Sequence, residues 1–214
     1  MDQRLAPIFY TIWRSAIVLL TAEIAIVSLL RYLTDSGAPP PPILANAHAH
    51  PFLVAHVVGG VTALVTGPLQ FVRRIRARRP ALHRASGKVY VAACAVAAPT
   101  GLMLALGTTA GPVAAAGFAI PALLLPVFTW LGVAAAIQRR FDEHREWMLR
   151  SYALIATAIT LRLMLPASAL LGFEFLPAYQ AISWLSWMTN LALVEFHIRR
   201  IRAPRVSYGA PATA

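Results

Sequence analysis

Six apolar stretches recur along these 214 residues, near 14–33, 51–72, 88–107, 113–138, 151–171 and 178–198. At about 20 residues each, they are long enough to cross a hydrocarbon core of about 30 Å. No other feature constrains the fold so strongly, because in lipid every backbone N–H and C=O must find a partner within the protein, and runs of this length do so as helices. The chain is 58% hydrophobic and 13% charged, against about 25% charged in a soluble domain. The expected fold is therefore all-α: one polytopic transmembrane bundle over 1–214, with 203–214 as a flexible cytoplasmic tail. Turn and charge signals close the spans, among them TDSGAPPPP, GTTAGP, RRFDEHRE and GFEFLP. The first stretch is longer than the core of a cleaved leader and is read as a true span.

Charge orients the bundle. Residues 69–90, LQFVRRIRARRPALHRASGKVY, hold seven cationic side chains between two apolar stretches. With the N-terminus in the cytoplasm, the inner segments carry Arg4 and Arg14, then this run, then Arg139, Arg140, Arg145 and Arg150, and finally Arg199, Arg200, Arg202 and Arg205. Arg31 lies near the outer surface and Arg162 falls within a span. The positive-inside rule then puts both termini in the cytoplasm, in a bacterial inner membrane. The basic run is a topology signal and a contact for anionic inner-leaflet lipids, worth roughly 1 kcal/mol per basic residue near the surface. Being short and without interleaved aromatics, it does not point to nucleic acid. The single cysteine, Cys94, rules out a disulfide pair and a thiol redox motif.

A charge inside a bilayer costs at least about 2.5 kcal/mol, so it needs a partner or a task. Glu23 and Arg162 lie near the middle of the first and fifth spans, at similar depth. They form a candidate intramembrane charge pair, either a packing device or a proton or substrate relay. In the second span, His56, Gly60, Ala63, Gly67 and Gln70 are spaced to share one helix face. That face reads as a small-residue seam against another helix, or as a slot for a haem edge beside an axial histidine. In NAHAHPFLVAH, His48, His50 and His56 form a candidate zinc or copper site, though without a finger spacing and with no thiolate or carboxylate nearby.

The two inner loops echo each other. QFVRR…ALHRASGKVY and QRRFDEHREWMLRSY each hold a Gln, an Arg pair, a His-Arg and a Tyr leading into a span. This suggests a parallel hairpin repeat, spans two and three with spans four and five. His83 follows Pro80 and His144 follows Asp142, as though each stood behind a helix N-cap, where a neutral imidazole is favoured. Both are read as headgroup-level hydrogen bonders or as paired ligands for a metal or quinone. In the sixth span Ser183, Ser186, Asn190 and His197 form a polar stripe suited to interhelical hydrogen bonding, with Trp184 and Trp187 deeper than an aromatic belt.

Three motifs carry a resemblance: H-x3-G…GPLQF from His56 to Phe71, P-x2-HR-x2-G-x-VY from Pro80 to Tyr90, and H-x2-WM-x-RSY from His144 to Tyr152. Together they resemble a bacterial family of predicted membrane proteins of unknown function, over spans two to five. The resemblance implies a fold and brings no activity. A weaker likeness is to membrane b-type cytochromes of the cytochrome b561 and ferric reductase group, where it implies haem near each face, with His56 outside and His83 or His144 inside. Those proteins pair ligand histidines on facing helices, and this chain has one histidine well inside a span.

Three functions remain open. The first is a non-catalytic subunit packed against a larger membrane complex, such as an electron-transfer complex. The second is a redox protein holding haem b or a quinone at His56, Gly60, His83 and His144. The third is a small transporter using Glu23 and Arg162. The orientation is testable at once: reporter fusions at Ala38 and Ala110 should be active outside the cytoplasm and a C-terminal fusion inside. An externally active C-terminus would overturn the topology.

Overall fold

A computed structural model describes residues 48–202 together with Asn46 and Ile26, the side chains of residues 49–51 excepted. From residue 49 onward there are seven helices: α1 Ala49–Phe71, α2 Arg73–Arg78, α3 Pro80–Leu106, α4 Pro112–Ile137, α5 Phe141–Ile155, α6 Thr157–Leu170 and α7 Phe175–Arg202. No strand occurs among the described residues. Four stretches are long and apolar enough to cross a membrane: Phe52–Phe71, Pro80–Leu106, Pro112–Ile137 and Phe141–Leu170. Outward-facing Trp130, Ile137 and Leu170 are 68%, 77% and 89% exposed, and such surface requires lipid contact. The expected sixth span falls in α7, where Ser183, Ser186, Asn190 and Glu195 interrupt the apolar run and keep it outside those four. The expected first span and the tail after Arg202 lie outside the described residues.

The core begins with α1 and α3, an antiparallel pair joined through α2. Their facing residues are small: Ala63, Ala93, Ala97 and Ala98 are buried. A methyl group on Gly59 would lie 3.0 Å from the Ala93 carbonyl oxygen and 3.1 Å from the Ala97 nitrogen, so the two backbones nearly touch. Without a hydrophobic driving force between helices in lipid, such close van der Waals contact is what holds them. Further along α1, the Tyr152 ring of α5 occupies the space a side chain at Gly67 would need. Beneath it, the Tyr90 hydroxyl meets Ser151 Oγ at 2.8 Å and Ser151 meets Thr129 Oγ1 at 2.7 Å, a fully buried polar chain linking α3, α5 and α4.

Helix α7 is held by donors reaching carbonyls on α4 and on the turn just before it. Gln180 Nε2 donates to Ala110 O at 2.8 Å, Trp184 Nε1 to Val113 O at 3.0 Å and Trp187 Nε1 to Gly117 O at 3.0 Å. This accounts for the depth of the two tryptophans. At its other end, Arg150 grips Glu195 with Nε at 2.5 Å and Nη2 at 3.1 Å, while Glu146 lies 3.8 Å from Arg150 and bonds Arg202. The polar stripe is mixed in its use. Asn190 bridges helices, Ser183 turns back to Gln180 O at 2.6 Å, and Ser186 Oγ is buried with no partner.

The fifth expected span is two helices, because α5 ends at Ile155 and α6 starts at Thr157. No proline or glycine marks the join in SYALIATAIT. Asn190 secures it from α7: its Nδ2 donates to Ala153 O at 3.1 Å and its Oδ1 accepts from Thr160 Oγ1 at 2.9 Å. The two hairpin connections also differ, a six-residue helix α2 in one and a tight turn at 138–140 in the other.

Two helix ends share one device. After α4, Arg139 N–H bonds Ala136 O and Arg140 N–H bonds Ala135 O; after α6, Gly172 N–H bonds Ala169 O and Phe173 N–H bonds Ser168 O. Both are Schellman caps, which need a left-handed residue. Gly172 supplies it at φ 79°, but in the first it is Arg139 at φ 59°. Arg139→Gly should therefore raise stability by about 1 kcal/mol and Gly172→Ala lower it by a similar amount. Denaturation midpoints in detergent read both, and an unchanged pair would discount the strain at Arg139.

Candidate functional site

Three of the described histidines make one kind of contact. His48 Nδ1 lies 2.9 Å from Met103 O, His56 Nδ1 2.9 Å from Ala97 O and His144 Nδ1 2.8 Å from Gly132 O. A carbonyl can only accept, so each Nδ1 carries the proton and each Nε2 is left as the second polar atom. Asn46 joins the first by donating to Leu104 O at 2.8 Å. The carbonyls taken by His48 and His56 are six residues apart on α3, about 9 Å along its axis at 1.5 Å per residue. The side chain of His50 is not among those described, and no group of three or more metal-ligating side chains occurs among the described residues.

His56 borders a cleft of about 300 Å³ in the half of the bundle away from the basic loops. Its walls are Val57 and Gly60 from α1, Ala97 and Gly101 from α3, Phe118 and Leu125 from α4, Leu154 and Ile155 from α5, Thr157, Leu161 and Arg162 from α6, and Tyr179 from α7. The break after α5 thus faces the cleft. The Cε1–Nδ1 edge of the His56 ring faces Gly101, where an added methyl group would stand 2.8 Å from Cε1 and 3.0 Å from Nδ1. Thr157 Oγ1, on the cleft wall, is buried with no hydrogen-bond partner. Arg162 Nη1 donates to Ala158 O at 3.0 Å. The structure thus brings His56, Gly60 and Arg162 to one cavity, a juxtaposition that spacing along the sequence did not reveal. Glu23, the expected partner of Arg162, lies outside the described residues.

The seam expected through His56, Gly60, Ala63, Gly67 and Gln70 is divided in its use. Ala63, Gly67 and Gln70 are buried in the bundle. Gly60 is not a packing residue, since a methyl group there would meet nothing within 4 Å; Gly59, next to it, makes the close approach. A hundred degrees of helical rotation separates the two.

At the opposite end, His83 is the fourth residue of α3 and His144 the fourth of α5. The N-caps are Arg79 and Arg140, neither with a side-chain cap bond, and Asp142 lies inside the first turn rather than at the cap. Gln70 reaches Ser86 Oγ at 2.7 Å, and with its oxygen turned to Ser86 and the Gly87 N–H, its amide donates to His83 Nδ1 at 3.2 Å. His83 stands ahead of the apolar stretch that begins at Val89. His144 has a separate partner, its Nδ1 being turned to Gly132 on α4.

The two neighbouring glycines give opposite expectations. Gly59→Ala should destabilise by about 1–3 kcal/mol, because backbone must move to admit the methyl group. Gly60→Ala should stabilise by up to about 1 kcal/mol through helix propensity. Thermal unfolding of both variants in one detergent reads the contrast, and equal shifts would contradict the packing.

Residues 53–198 match the sequence profile of a family described as predicted membrane protein (DUF2306). No curated protein and no solved structure matches the chain.

Proposed function

Because the chain belongs to the DUF2306 family of predicted membrane proteins, we propose that it is an intramembrane binding protein that holds a lipid-soluble ring compound of the quinone class in the cleft beside His56. In this reading both termini are cytoplasmic, following the arginines, and the cleft lies in the outer half of a bacterial inner membrane. The observation that carries the proposal is Gly60. A glycine within a helix costs roughly 1 kcal/mol relative to alanine, and no neighbour within 4 Å requires it. What its missing side chain does provide is room, beside an imidazole whose second nitrogen has no bond to any described residue. The walls suit the ligand: Phe118, Leu125, Leu154 and Leu161 are apolar, with the polar side chains of Asn46, His56, Thr108, Thr157, Arg162 and Tyr179 set among them. At about 300 Å³ the volume is at the small end of the roughly 300–1,000 Å³ typical of ligand sites, enough for a head group whose tail runs out into lipid.

A haem is less well served. No second histidine, cysteine or methionine lines the cleft among the described residues, so a six-coordinate iron would lack an axial ligand. Quenching of tryptophan fluorescence by a short-chain benzoquinone, titrated into the protein in nanodiscs, tests the proposal. Binding should saturate, and Gly60→Leu should weaken it by about tenfold or more, or 1.4 kcal/mol, without lowering thermal stability. Absence of saturable binding would return the chain to the reading of a structural subunit in a larger membrane complex.

A further inference from the structure

We infer that the cleft selects the hydroxyl-bearing, reduced form of its ligand, a hydroquinone or phenol head, over the corresponding quinone. This rests on the cleft being the ligand site proposed above, and it follows from hydrogen-bond direction. A neutral imidazole has one N–H, and His56 gives it to the Ala97 carbonyl at 2.9 Å. The ring cannot exchange its two nitrogens at little cost, since it lies against Gly101, and turning it would break the bond to Ala97. Nε2 is therefore a bare lone pair at the edge of the cavity, and only a donor satisfies it.

A second polar group agrees. Thr157 Oγ1 is buried at the cleft without a partner, although a hydroxyl donates as readily as it accepts. A ligand hydroxyl can give its proton to His56 Nε2, and a ligand oxygen of either form can accept from Thr157. A quinone carbonyl can accept from Thr157 but sets an oxygen lone pair against that of Nε2. Sites built to pair with a hydroxyl reject analogues that lack it, because the buried partner is left unmatched. Nothing need be oxidised or reduced in the cleft for this preference to hold; it is a difference in binding alone.

Three redox-related probes separate the possibilities: a short-chain benzoquinone, its hydroquinone kept reduced under anaerobic conditions, and the hydroquinone dimethyl ether, which has the same oxygens and no donor. Titrated into the protein in nanodiscs, the hydroquinone should bind at least about tenfold more tightly than either other probe, one unsatisfied buried acceptor being worth 1–3 kcal/mol. Thr157→Val should weaken hydroquinone and quinone alike and leave that preference in place, whereas His56→Phe should abolish it. Should the phenylalanine variant fail to fold, nitrogen-15 chemical shifts of His56 in the intact protein give an independent reading, with Nδ1 protonated and Nε2 bare. A quinone that binds as tightly as the hydroquinone would overturn the inference while leaving the cleft as a ligand site. No saturable binding by any probe would overturn both, and a His56 protonated at Nε2 would overturn the inference alone.

Discussion

Side-chain donors reaching across to backbone carbonyls hold this bundle in register. His48, His56 and Asn46 bond carbonyls of α3, His144, Trp184 and Trp187 bond carbonyls of α4, and Asn190 bonds one of α5. In an apolar surrounding an unpaired N–H is costly, so each of these groups must find an acceptor, and helix carbonyls are the acceptors always at hand. The bonds require close helices. Where α1 meets α3 that closeness comes from Gly59 against Ala93 and Ala97, and the His56 bond to Ala97 uses the same short distance. Packing and site geometry are here a single constraint.

The ends of the molecule are fixed by different physics. Toward the basic loops, Arg150, Glu195, Glu146 and Arg202 form a linked set of ion pairs between α5 and α7. Toward the other end, α7 relies on neutral donors, and α6 packs chiefly on α7. The break at Ala156 lies between these regimes, so one expected span belongs half to a charged clamp and half to the wall of the cleft.

The helices were legible because apolar run length is a direct consequence of bilayer thickness, and Pro80, Pro112 and Gly172 punctuate their ends as such residues do. The break at Ala156 was not, since neither proline nor glycine causes it and its support, Asn190, is 34 positions away. Arg150 and Glu195, 45 residues apart, were unreadable as a pair for the same reason. The bond of His56 to a neighbouring helix was half legible, since the residue stood out by its place on a small face. Its partner was not, because Ala97 contributes only an oxygen that every residue has. Gly60 and Gly59 could be separated only once the position of α3 was known.

A histidine that bonds a backbone carbonyl places no demand on the side chain at the accepting position, so Ala97, Met103 and Gly132 are free to change identity, within the limits of packing, while the contact persists. Correlated substitution between paired positions, the usual statistical trace of spatial contact, would then be weak for these bonds. In a protein stitched in this way, the histidines and tryptophans would stand as isolated fixed points, with their partners hidden in the one part of the polypeptide that mutation leaves alone.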